Sequence, residues 1–170
     1  MFRRDERGVS TVEFALVLPI AALTLVCEFT LGEALAISRK VAITGRTLTD
    51  LIARRPSLTE SELNTILNAS AQLAAPYSTA NMTIVVAALA TNASGQTTVT
   101  WSRSRNGTAL TTGSTFTPPT GVARASTTLI YGSVRYSYTP GFAIRLLPSY
   151  PITFAFYVNP RVTSSIPLTN

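Results

Sequence analysis

Apolar residues fill the chain from Val9 to Leu31 with few polar interruptions, and the pattern then changes twice. The unbroken run from Phe14 to Cys27 covers only ~21 Å at ~1.5 Å per residue, short of a ~30 Å hydrocarbon core. Taken from Val9 to Leu31 the segment is long enough to span, with Glu13 and Glu28 near the two interfaces. From Ile37 the pattern becomes one-sided: Ile37, Val41, Thr44, Leu48 and Leu51 recur in steps of four and three, which places them on one helical face. Arg39, Lys40, Arg46 and Asp50 fall off that stripe. Arg54-Arg55-Pro56 ends it, because basic residues suit a helix C-terminus and the residue before proline leaves the α region. The spacing predicts one helix from about Val9 to Arg54, its first half in lipid and its second half amphipathic. Pro19, which cannot donate a backbone hydrogen bond, is expected to kink or loosen it.

A second helix is expected over 59–75. Thr59 has the position of an N-cap and Glu62 that of its reciprocal partner, a capping box, with Leu58 and Leu63 as a hydrophobic staple. Its apolar face is read as Leu63, Ile66, Leu67, Leu73 and Ala74, and Pro76 ends it. From Asn81 the period falls to two. Met82, Ile84 and Val86, then Val99 and Trp101, then Leu129, Tyr131, Val134, Tyr136 and Tyr138, then Ile152, Phe154, Phe156 and Val158 mark about four antiparallel strands, each with one apolar face. Gly132 is expected to form a bulge. Residues 91–96 have hairpin-turn chemistry, and residues 106–122 read as a longer polar loop. A sheet needs its apolar face covered, and the amphipathic half of the long helix is the natural cover. The predicted class is α+β: a long N-terminal helix, membrane-spanning then amphipathic, packed on a small antiparallel sheet domain.

Composition narrows the chemistry. The 170 residues include no histidine and one cysteine, Cys27, so a disulfide within the chain and a Cys/His zinc site are both excluded. The net charge of +6 invites a nucleic-acid reading, yet residues 63–170 carry only six dispersed arginines and no acid. No basic patch or run forms, and nucleic-acid binding is not expected. Nor is catalysis, because that region has no histidine, carboxylate or lysine to serve as a general base. No metal or cofactor is expected. Trp101 and the tyrosines at 131, 136 and 138 are read as packing residues rather than an adhesive surface. The basic start, Arg3, Arg4 and Arg7, orients the N-terminus to the cytoplasm and the rest outward.

One acid, Glu13, stands within apolar sequence, where an unpaired carboxylate is costly and usually functional. The stretch Arg7-Gly8-Val-Ser-Thr-Val-Glu13-Phe14-Ala-Leu-Val-Leu-Pro19, extended by Glu28, Gly32 and Glu33 and by Arg39 to Ile52, resembles the class III, type IV-like prepilins, specifically the TadE-like proteins of the tight-adherence pilus. The resemblance covers residues 3–55. It implies a leader over 1–8, an N-terminal helix over 9–55 and a periplasmic or extracellular α+β domain over 56–170, in a chain held in the inner membrane by a single pass. It implies cleavage by a prepilin peptidase between Gly8 and Val9. It also implies an assembly role for Glu13 and the adjacent Phe14, with Glu13 meeting the new amine of Val9 on a neighbouring subunit. Phe14 stands where major pilins usually have tyrosine. Glu28, Gly32 and Glu33 are candidates for helix packing or assembly, although Glu28 and Glu33, five apart, lie ~140° from each other around the helix and form no carboxylate pair. The long outer region suggests a minor pilin or pseudopilin, whose partners are other pilin subunits and the inner-membrane assembly platform. The alternative is an uncleaved, single-pass anchored binding or adhesion module.

Overall fold

The apolar run and the amphipathic stripe form a single helix, α1 (Arg7–Ala53), 47 residues long, which continues through Pro19 without a break. The computed structural model describes residues 7–141 and 148–169; residues 1–6 of the expected leader lie outside them. At ~1.5 Å per residue α1 measures ~70 Å. Thr24 and Thr30 return their hydroxyls to the carbonyls of Ile20 and Val26, so these polar groups are satisfied inside the apolar half.

The architecture is α+β. After α1 comes a two-residue strand, β1 (Leu58–Thr59), and then α2 (Glu60–Ala71), which continues as a 3-10 turn over Gln72–Ala74. The capping box forms as expected: Thr59 Oγ1 accepts from the Glu62 amide at 3.2 Å, and the Thr59 amide donates to Glu62 Oε2 at 2.9 Å. These bonds hold the Glu62 carboxyl below its ordinary range. Leu58 and Leu63 are both buried. The buried face of α2 runs Leu63, Leu67, Ser70, Ala71; Leu73, expected on it, is 39% exposed beyond the end of the helix.

Four strands follow: β2 (Met82–Thr91), β3 (Thr97–Arg105), β4 (Thr128–Tyr138) and β5 (Tyr150–Val158), all antiparallel, in the spatial order β3-β2-β4-β5. The β2–β3 turn forms over 92–96, where Asn92 Oδ1 accepts from the Gln96 amide and Gly95 takes φ +84°. A last strand, β6 (Leu168–Thr169), pairs in parallel with β1. Trp101 is core rather than surface, donating from Nε1 to the Ile166 carbonyl at 2.7 Å and tying the C-terminal segment to the sheet.

α1 packs on one face of the sheet, mainly over β4 and β5. Ile37, Val41, Thr44, Leu48, Thr49 and Ile52 are buried there, with Met82, Ile84, Val86, Ile130 and Val134 opposite. Ile52 replaces Leu51, which is 45% exposed, because the buried stripe is centred nearer Gly45 than the apolar residues alone imply. Two glycines set the closeness of that approach. A Cβ on Gly45 would lie 2.7 Å from the Phe156 ring, and one on Gly132 would collide with Thr49 Oγ1. Gly132 is not a bulge: its pairing with Val86 and Phe156 is in register, and the irregularity falls at Ala88/Leu89 between β2 and β3.

The other face is also partly covered. The connection between β3 and β4, expected to be merely polar, folds back so that Leu110, Phe116, Val122 and Ala123 pack on Ala87, Leu89, Val99 and Leu129. Backbone bonds from Gly113 to the Val99 carbonyl and from Phe116 to the Thr97 carbonyl fix it along the edge of β3. One half of the sheet therefore has two apolar faces, and Tyr131, Phe116 and Tyr157 pack ring against ring on the outer one.

Candidate functional site

The half of α1 that the domain does not cover is the most distinctive surface. From Ser10 to Ala36 only Val26, Thr30 and Ala34 are even partly covered. Large apolar side chains stand out around the helix, with Phe14, Leu16 and Ile20 at 66–68% exposure. A helix apolar all round belongs in a protein core or a membrane, and this one has no core around it. By length and composition it can cross a bilayer.

The Gly8–Val9 peptide lies in the first turn of α1. Glu13 and Phe14 are exposed one turn further on, and Glu13 makes no hydrogen bond or ion pair among the described residues. In an apolar environment a carboxylate in that setting would require a cation or water.

The structure separates the three candidates further along. Glu33 has an intramolecular partner: Tyr138 Oη donates to Glu33 Oε2 at 2.8 Å and lies 3.4 Å from the Thr30 carbonyl oxygen. Tyr138 is 2% exposed, and burial first, then the bond to Glu33, pushes its phenol well above the ordinary range. This contact fixes the domain to α1 where the helix leaves it. Alternation along β4 put Tyr138 on the same face as Val134 and Tyr136; nothing in the sequence named its partner on the helix.

Glu28 is exposed and lines a groove of about 620 Å³ with Leu25, Phe29, Gly32, Glu33, Ala36 and Tyr77. A Cβ on Gly32 would meet nothing, so no packing within the chain demands glycine there. Open space at Gly32 with Ala36 one turn on lets another helix approach closely. Glu28 and Gly32 thus remain open to a partner, while Glu33 serves the fold.

Arg103, Arg105 and Arg161 are internal fasteners. Arg103 is paired with Glu60, and Arg105 donates to Asn68 and to the Thr79 carbonyl, so both pin α2 and its following turn to the edge of the sheet. Arg161 and Arg54 both reach Asp50, at 2.7 and 2.8 Å, and the Arg161 amide caps the Ala53 carbonyl, closing the far end of the helix. No family model, curated protein or solved structure matches this chain.

Proposed function

We propose that the protein is a minor pilin or pseudopilin-like component of a bacterial tight-adherence pilus, made with a leader that a prepilin peptidase removes after Gly8. The observation that carries this reading is the division of α1. One continuous helix serves as domain core over Ile37–Ala53 and stands bare and apolar over most of Ser10–Ala36. Such a helix satisfies its own backbone in a bilayer as an anchor and can bury its apolar surface among copies of itself, which is what a subunit passing from membrane to filament requires. The sequence around Gly8, Glu13 and Phe14 supports the same reading, and Glu13 gains a cation when cleavage frees the Val9 amine of a neighbour.

The domain then faces the periplasm or the cell exterior, and its partners are other pilin subunits and the inner-membrane platform. Glu13→Gln tests the assembly role. The variant is expected to reach the membrane at normal level and to disappear from the sheared filament fraction, as judged by immunoblot of both fractions. Unchanged incorporation would remove Glu13 from the mechanism.

A further inference from the structure

The anchored state has a second membrane contact besides α1. We infer that the end of the sheet carrying Tyr138 and Tyr150, with Tyr77 beside it, rests on the lipid headgroup layer where α1 emerges from the bilayer. The inference rests on the membrane-anchored part of the function proposed above, not on cleavage or assembly.

Pairs of contacts fix how the sheet lies along α1. At one end Tyr138 reaches Thr30 and Glu33; at the other the Arg161 amide binds the Ala53 carbonyl. Thr30 to Ala53 is ~35 Å of helix, and β5 with its exit to Arg161 is of similar length. The strands therefore run alongside the helix axis, and one end of the sheet faces down the bare half. Tyr138 and Tyr150 are cross-strand partners at that end, with ring centroids 5.3 Å apart and edge to face. Tyr150 is 41% exposed, and Tyr77 lines the groove over Glu28 and Phe29.

The level of this end matches a bilayer surface. Glu13 and Glu33 are ~30 Å apart along the helix, one hydrocarbon thickness. With Glu13 at the first interface, Glu28 and Glu33, ~22 and ~30 Å along the helix, bracket the second, and Tyr138 stands there with Glu33. Tyr150 and the half-buried Tyr77 stand at the surface there beside the buried Tyr138, and tyrosine favours that depth because its ring is apolar and its hydroxyl is wet. The exposed Arg135 lies toward the same end, opposite Thr83, where anionic headgroups would attract it.

Depth-dependent quenching in vesicles of phosphatidylcholine and phosphatidylglycerol tests this with the full chain. An environment-sensitive fluorophore is attached to Ser149→Cys, Ser78→Cys or, at the far hairpin, Asn92→Cys, each in a Cys27→Ser background, and separately to native Cys27. Headgroup-nitroxide lipid is expected to quench the label at 149 and 78 several-fold more than at 92, and Tyr150→Ser is expected to reduce the effect at 149. Equal quenching at 149, 78 and 92, with Cys27 strongly quenched by acyl-chain nitroxide, would overturn the seating and leave the anchor standing. No quenching at Cys27 would overturn the anchor and the seating together.

Discussion

At the scale of single residues, Tyr138 has the largest consequence for its size, since one phenol joins sheet and helix at the point where α1 becomes bare. Tyr138→Phe removes the bond to Glu33, whose carboxylate can still reach water, so the loss is expected to be ~1–2 kcal/mol in urea unfolding of the detergent-solubilised chain. The phenol also links stability to alkaline pH. The folded state holds this proton more tightly than the unfolded chain, whose tyrosines titrate near 10.0. Stability is accordingly level below that pH and falls as pH rises above it, because the unfolded state then gains by releasing its proton. Tyr157, also raised by burial, adds to the fall, so Tyr138→Phe should shallow the slope without abolishing it. Ser70 presents the opposite case. Its hydroxyl is buried in α2 with no hydrogen-bond partner among the described residues. Ser70→Ala is expected to raise stability by ~1 kcal/mol or more, since it deletes an unsatisfied polar group and improves helix propensity. A drop in the urea midpoint would contradict that account.

At the scale of elements, the helix-on-sheet contact is built from absences. Gly45 of α1 and Gly132 of β4 let helix and sheet close up where a side chain at either position would strike Phe156 of β5 or Thr49 of α1. Gly132→Ala should cost ~1–3 kcal/mol by overpacking, and Thr49→Ala combined with it should recover most of the loss. Additive losses in the urea midpoints of this cycle would show that the two positions do not meet. This contact also marks the limit of what the chain's pattern discloses. The capping box at Thr59 and Glu62, the hairpin at 92–96 and the four strands were legible because each depends on a few neighbouring residues. The centre of the buried stripe on α1 was not. It passes through Thr44, Gly45 and Thr49, which no hydrophobic count marks, and so Leu51 was expected inside where Ile52 lies. Gly132 reads as a bulge from sequence because both roles require a missing Cβ, and only the position of Thr49 distinguishes them. Likewise, Leu110, Phe116, Val122 and Ala123 are too scattered among Gly, Pro and Thr to announce a second small core.

At the scale of the whole molecule, the chain is a domain assembled on one end of a rod whose other end is bare. The extent of the rod was legible, from about Val9 to Arg54, because an apolar run passes directly into an amphipathic stripe. The candidate site was legible in part: Glu13 stands out by its cost in lipid, and Glu28 and Gly32 prove open, but Glu33 belongs to the fold through a partner more than a hundred residues away. Under the proposed function such a rod is either a fixed anchor or a mobile subunit, and cleavage between Gly8 and Val9 decides between them. The most direct measurement is the intact mass of the mature protein from cells with and without the prepilin peptidase. A chain beginning at Val9 is expected from the first and one beginning at Met1 from the second. A chain beginning at Met1 in both would contradict processing at Gly8 and leave a permanently anchored outer domain.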